Sequence, residues 1–455
     1  MKAKVKKFII YTCMLTILFT ELAAQTVILN RDPEIKAMVE EISAERLEQH
    51  IQKLVSFGTR HTLSDNKSNK EGIGAARNWV KSELETYARE SGGRLTVALD
   101  FYDIPADGRR IPEPVQLANV MGTLKGTDPN DDRILIISGH LDSRASDIMN
   151  SKIKAPGAND DGSGVAVVME LARVMSKRSF PATIIFMAVS GEEQGLLGAR
   201  QLAEKGKKEQ WNIVAMLNND MVGNSASSGT NLRDNMQVRV FSEGVPQAET
   251  EEMARNRRYT AAENDSQSRQ LARYIKEVGE RYVDQLQVTL NYRSDRFLRG
   301  GDHTPFSQNG FAAVRFSEMN ENYYHQHQDV RLEDGIQYGD FPEYVDYFYA
   351  RKIAGVNLAT LANLAMAPAA PQNPGIDVSQ LSNETLLKWQ HPAGKEPHGY
   401  YVLMRETYQP FWEKKIFVQG TEVSLPYSKD NYFFAVQAVD AEGHESLPVW
   451  PLPLR

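Results

Sequence analysis

The chain has 455 residues, 41% of them hydrophobic and 24% charged, and a formal charge of −7. This is ordinary globular composition with length for more than one domain, and its mild acidity argues against a nucleic-acid partner. One cysteine, Cys13, excludes a disulfide framework and a multi-thiolate metal site.

Met1 to Lys7 carries four lysines, Phe8 to Phe19 is apolar apart from Thr12, Cys13 and Thr16, and Glu21-Leu-Ala-Ala24 follows. This is the pattern of a secretory signal peptide over residues 1–24, because the apolar run is too short to cross a bilayer. Cleavage after Ala24 removes four lysines and Glu21, which takes the formal charge from −7 to −10, and Cys13 leaves too. No later segment is apolar enough to span a membrane. The expectation is an exported protein, periplasmic or extracellular.

Ile35 to Val55 has helical periodicity, with a cap and break expected at Ser43. Residues 57–72 are polar and loop-like, Ile73 to Tyr87 is helical, and Leu95 to Ile104 and Leu117 to Leu124 pattern as strands. From Arg133 to Asp220 the order becomes strand, helix, strand, helix, strand, with apolar strands at Arg133–Ile137, Thr183–Val189 and Ile213–Leu217. Val165 to Met175 and Leu196 to Lys205 are the helices between them. Continuous apolar strands alternating with helices predict an α/β fold whose central sheet is mostly parallel and covered on both faces. Val238 to Phe241 is a further strand, Glu252 to Ser268 a polar surface excursion, and Gln270 to Leu286 a helix. Phe311 to Phe316 is a strand, and Tyr344 to Met366 closes this part as an amphipathic helix.

Residues 367–375 are a linker by composition. Beyond it, Glu384–Trp389, Gly399–Met404, Lys415–Val418 and Tyr432–Val439 are short strands separated by turns, the spacing of a small β-sandwich over residues 376–455. Trp389 on an early strand, with Tyr432, Phe434, Val436 and Ala438 on a late one, resembles a fibronectin type III domain. The main domain is expected over residues 25–366.

Four clusters of acidic and imidazole groups fall just past strand ends: His140-Leu-Asp142 with Asn159-Asp160-Asp161-Gly-Ser-Gly164, Glu192-Glu193, Asn219-Asp220, and His325-Gln-His327-Gln-Asp329. Alone, Glu-Glu is a solvated surface and Asp-Asp-Gly a turn. Four such placements on one sheet edge, where open α/β sheets bind ligands, gather carboxylates that repel one another unless a cation is present. The nitrogen and oxygen donor set suits zinc.

These motifs, in this order over residues 138–329, resemble the zinc aminopeptidases of the bacterial leucyl aminopeptidase type, a superfamily that also holds glutamate carboxypeptidase II and the glutaminyl cyclases. The resemblance implies two zinc ions per chain: His140 and Asp220 on one, Glu193 and His325 on the other, and Asp160 bridging them. It implies Glu192 as the general base toward the attacking water, Asp142 as the carboxylate orienting His140, and Tyr324 as a helper at the developing oxyanion. His327 competes with His325, which has the family spacing to Asp329. Asp302 and His303 are expected to line the site without binding metal, and Asp161 to belong to the turn into the helix.

The implied activity is removal of N-terminal residues from peptides with a free N-terminus. A one-zinc glutaminyl cyclase, a carboxypeptidase of the same fold and a metal-free receptor are the alternatives. The cyclase gains from Phe57-Gly-Thr-Arg60 and loses from the intact Asp-Asp-Gly-Ser-Gly run.

Overall fold

Ser43 splits the first helical stretch in two: α1 (Pro33–Glu41) ends before it, and its hydroxyl accepts from Arg46 N–H at 3.2 Å to cap α2 (Ala44–Val55). The computed structural model describes residues 31–392 and 394–454, so the signal-peptide reading of residues 1–24 lies outside the described residues. There follow α3 (Gly72–Glu90), β1 (Leu95–Ile104), β2 (Val115–Leu124), β3 (Arg133–His140), α4 (Gly162–Met175), β4 (Thr183–Val189), α5 (Leu197–Lys208) and β5 (Asn212–Asn219). After these come β6 (Gln237–Phe241), α6 (Glu251–Thr260), α7 (Gln267–Tyr282), β7 (Gln287–Asn291), α8 (His303–Gln308) and β8 (Ala313–Glu318). A short ribbon of β9 (Arg331–Glu333) and β10 (Ile336–Tyr338) precedes α9 (Tyr347–Met366).

Eight strands form one sheet in the order β1-β2-β4-β3-β5-β8-β6-β7. The predicted parallel arrangement is found at its centre, where β4, β3, β5 and β8 all run the same way. The margins differ: β1 on β2, β2 on β4 and β6 on β8 are antiparallel, while β7 is parallel to β6. Alternate residues of β3 feed two cores, Leu135 and Ile137 facing α4 and α9, and Ile136 facing α5 and α8. Burial on both faces is why these strands read as unbroken apolar runs.

Two expectations need correction. Residues 251–260 of the supposed surface excursion form α6, capped by Thr250, whose hydroxyl accepts from Met253 N–H. None of its residues is buried, so it lacks the apolar stripe that marks a helix in sequence. The closing helix α9 is not amphipathic, since Ile353 to Met366 are buried all round among α1, α2, α4 and α7.

The C-terminal residues build two small sheets. One has the order β15 (Glu422–Leu425), β12 (Thr385–Gln390), β11 (Gln372–Asp377), β17 (Leu452–Leu454), and the other β14 (Lys414–Val418), β13 (Gly399–Glu406), β16 (Tyr432–Val439). Leu387, Trp389, Tyr400, Val402, Phe434 and Val436 form a core common to both. The compositional linker over 367–375 is not free chain: β11 begins at Gln372, and the carbonyls of Ala367 and Pro368 accept from Arg133.

Polar contacts fix this unit to α7. Arg273 of α7 and Arg405 of β13 each donate to the buried Asp265 at 2.7 Å. The fully buried Glu445 accepts from Arg281 at 2.8 Å and from Asn363 at 3.2 Å. His444 lies between Asp440 (2.8 Å) and Asp32 (3.0 Å).

Candidate metal centre

The four central strands bring their C-terminal ends to one edge, and each ends in a chemical group. β3 ends on His140, β4 leads into Ser190-Gly191-Glu192-Glu193, β5 ends on Asn219 before Asp220, and β8 leads into the loop carrying His327. The start of α4 lies hard against these ends. A side chain at Gly139 would meet Gly164 C at 2.4 Å, and one at Gly164 would meet Asn219 O at 2.3 Å, so glycine alone fits there. Asp161 caps α4: one carboxylate oxygen accepts from Gly164 N–H and Met221 N–H, the other from His140 N–H at 2.8 Å. It is part of the turn, as expected.

The donor atoms fall into two groups, each with its atoms within 4.8 Å of one another: His140, Glu192 and Asp220, and Asp160, Glu193 and His327. Asp160 joins them. Its Oδ1 is 3.1 Å from His140 Nε2 and its Oδ2 is 2.9 Å from His327 Nε2. His327 Nε2 is also 2.8 Å from Glu193 Oε1, and His140 Nε2 is 3.8 Å from Asp220 Oδ1.

His327 takes the place expected of His325. The His325 ring instead stacks on Tyr344 at 3.9 Å between centroids, and burial lowers its pKa to about 4. His327 adopts a left-handed backbone (φ 54°) at this turn, and its ring enters the cluster. Asp329 still belongs to the constellation, since its carboxylate accepts from Ser146 N–H and Oγ–H and ties the two loops together. Tyr324 is displaced with His325: its ring meets Tyr338 edge-on at 5.6 Å. The residue directly before His327 is Gln326, whose amide donates to Asp160 Oδ2 at 3.3 Å.

Asp142 is in the expected place with a different partner. His140 Nδ1 donates to the Asp142 backbone carbonyl at 3.0 Å and lies 3.9 Å from its carboxylate. That carboxylate accepts instead from the backbone N–H groups of Gly191, Glu192 and Glu193 and from Thr62 Oγ. The carbonyl sets the ring's tautomer and leaves Nε2 free, while the carboxylate holds the Glu192–Glu193 turn.

The charge pattern fits bound metal cations. Burial, with Glu193 and Asp220 beside it, pushes Glu192 well above the ordinary carboxylate range. Burial also pushes Asp302 up to about 8, and both its carboxylate oxygens are buried without a partner. Burial works against the charge on Asp220, yet Arg315 at 2.9 Å outweighs it and holds that group at about 2. Four carboxylates crowded around two imidazoles call for nearby positive charge, and among the described residues Arg315 pairs with Asp220 and Arg144 with Glu193. His303 contacts none of the donor atoms and is fixed to the Ser294 carbonyl at 2.7 Å.

Arg144, Gln326, Arg315 and Thr62 carry no chemical signal of their own in sequence. Arg144 stands two residues past Asp142 and Gln326 directly before His327, which are the local hints; Arg315 and Thr62 reach the site from β8 and from the loop after α2. A further grouping of Asp440, Glu442 and His444 has both ring nitrogens of His444 already taken by Asp440 and Asp32.

Residues 119–334 match the family model described as peptidase family M28. A probable zinc metalloprotease of Leptosphaeria maculans is 47% identical over 423 residues, 93% of this chain and 97% of that protein. One from Pyrenophora tritici-repentis is 46% identical over 93% of this chain and 87% of its own length. Among solved structures, the LapA aminopeptidase of Legionella pneumophila has a TM-score of 0.53 at 20% identity, covering 74% of this chain and 76% of that one. An aminopeptidase from Aneurinibacillus sp. strain AM-1 has a TM-score of 0.50 at 15% identity, over 72% and 95% of the two chains.

Proposed function

The chain belongs to peptidase family M28, and on that premise we propose that it is an exported two-zinc aminopeptidase with Glu192 as general base. The observation that carries this reading is Asp160, which offers one oxygen to each of two donor groups. His140 and Asp220 would hold one ion, Glu193 and His327 the other, and Asp160 both. Such a pair, when bound, lowers the pKa of water and polarises the carbonyl oxygen of the scissile bond.

The chain's own residues then have separate tasks. Asp142 fixes the backbone of the turn, so that Glu192 and Glu193 leave it in set directions. Glu192 accepts a proton from the attacking water as oxygen bonds to the carbonyl carbon, and delivers it to the departing amine as the carbon–nitrogen bond breaks. Burial and neighbouring carboxylates raise its basicity for that task. Residues 1–24 act as the export signal in this reading, residues 25–366 form the peptidase domain, and residues 376–455 are a fibronectin type III-like module that supports it.

Glu192→Gln should keep two zinc ions per chain and cut turnover of aminoacyl anilides by about 10²- to 10⁴-fold. Unchanged turnover would remove Glu192 from the mechanism. Cyclisation of N-terminal glutamine peptides with no release of N-terminal residues would favour the cyclase instead.

A further inference from the structure

Asp160, which offers an oxygen to each of two donor groups, belongs to a turn whose backbone is held from outside the turn. Three successive N–H groups end on Asp340, a buried residue in the loop between β10 and α9. Ala158 N–H donates to the Asp340 carbonyl at 3.1 Å. The N–H groups of Asn159 and Asp160 donate to a single carboxylate oxygen, Asp340 Oδ2, at 2.9 and 2.8 Å. On the carbonyl side, the fully buried Arg60 of the Phe57-Gly-Thr-Arg60 stretch donates to Pro156 and Gly157 at 2.7 and 2.8 Å. The Asn159 side chain accepts from Gly223 N–H at 2.8 Å and donates to Glu318 at 2.9 Å.

We propose that Asp340 is the positioning residue for Asp160, its carboxylate fixing the turn so that the two oxygens of Asp160 face the two donor groups at once. A peptide unit is planar, so holding its N–H holds the whole plane. Two successive planes are held here, and the second ends at the Asp160 Cα, which sets the direction in which that side chain leaves the turn. Both bonds come from a residue 181 and 180 positions away in the chain. The Asp340 loop is itself tied to the rest of the site. Gly339 N–H donates to the Tyr324 carbonyl at 3.2 Å, and Asp346 N–H to the Gly223 carbonyl at 2.7 Å. One loop thus braces the Asp160 turn, the segment leading into His327 and the chain that follows Asp220. The arrangement uses acceptor geometry rather than charge: Oδ2 takes both bonds, while Oδ1 is buried without a partner. An amide oxygen can stand in the Oδ2 place, whereas alanine leaves two buried N–H groups unpaired.

This proposal rests on the two-cation reading above. The test strips the full-length protein with chelator and titrates it with zinc, measuring ions per chain and the affinity of each. Asp340→Ala should weaken both ions, each about 10- to 100-fold, because the one ligand it releases serves both. Asp340→Asn should recover most of that affinity. In a chain that already carries Asp160→Ala, adding Asp340→Ala should weaken the remaining binding no further, since the effect passes through Asp160. If Asp340→Ala does not fold, Asp340→Glu, which keeps the charge and moves the oxygens by one methylene, should bind both ions more weakly than Asp340→Asn; equal affinity in those two would overturn the proposal. Zinc bound by Asp340→Ala as tightly as by the wild type would overturn it alone. A further loss in the Asp160→Ala chain would reduce Asp340 to a general structural role, and an Asp340→Asn chain no better than Asp340→Ala would show a need for charge; either overturns it. A wild-type chain that holds a single ion would overturn the two-cation reading and this proposal with it.

Discussion

Two histidines separated by one residue have opposite fates at this site. His327 faces Asp160 and Glu193, while His325 lies flat against Tyr344 with its pKa lowered by burial. His327→Ala should therefore leave about one zinc per chain and lower turnover by orders of magnitude, whereas His325→Ala should retain both ions; metal analysis of the two purified variants checks this. Polarity nominates both residues, and the spacing to Asp329 favours His325. What separates them is a positive φ at His327 and a stacking partner on a later turn, neither of which is written in the local pattern. His140, Glu193 and Asp220 were legible because each follows a strong strand signal, and Asp160 because it stands in the Asp-Asp-Gly-Ser-Gly turn that opens α4. Arg144 and Gln326 were not, because an arginine or glutamine in a loop has no periodicity to betray it.

At the scale of elements, the turn after β4 depends on a residue from the loop after β3. Three successive N–H groups and the Thr62 hydroxyl converge on the Asp142 carboxylate. An amide at this position has one oxygen rather than two, and its NH₂ would point at donors. Asp142→Asn should cost about 1–3 kcal/mol, seen as a lower melting temperature, and should reduce turnover by loosening Glu192. The strands of the sheet centre were legible from their apolar runs, as was the break at Ser43 from its capping chemistry. The helix α6 was hidden by its exposure, and α9 misread because it is buried on every side. Periodicity reports the boundary between core and water, so an element wholly on either side of that boundary leaves little trace.

Over the whole molecule, the C-terminal unit is held to the α/β body by charges inside the interface. Burial works against protonation of His444, but its bonds to Asp440 and Asp32 win and raise its pKa above 6.5. Burial likewise opposes the charge on Asp440, and His444 and Lys395 bring that group down to about 2. The histidine's contribution to stability is complete below about pH 6.5 and is lost as pH rises through its raised folded value. The aspartate's is complete above about pH 3.8 and is lost as pH falls toward 2. This interface should therefore be firmest between about pH 4 and 6.5; thermal unfolding across pH should show the wild type more stable than His444→Gln on the acid side and losing that advantage on the alkaline side. The sandwich itself could be foreseen from strand spacing and from Trp389, but its docking could not. The ion partners are separated by up to hundreds of residues, and charge in a sequence looks the same whether it faces water or a neighbour.

Glu445 gives this docking a thermodynamic consequence. It is fully buried, and its partners Arg281 and Asn363 belong to helices of the other unit. Pulling the units apart would cost Glu445 and its partners the bonds they make across the interface. Heating should accordingly melt the protein in a single calorimetric transition, with van't Hoff and calorimetric enthalpies in agreement. Two resolved peaks would mean that the halves part company before either unfolds.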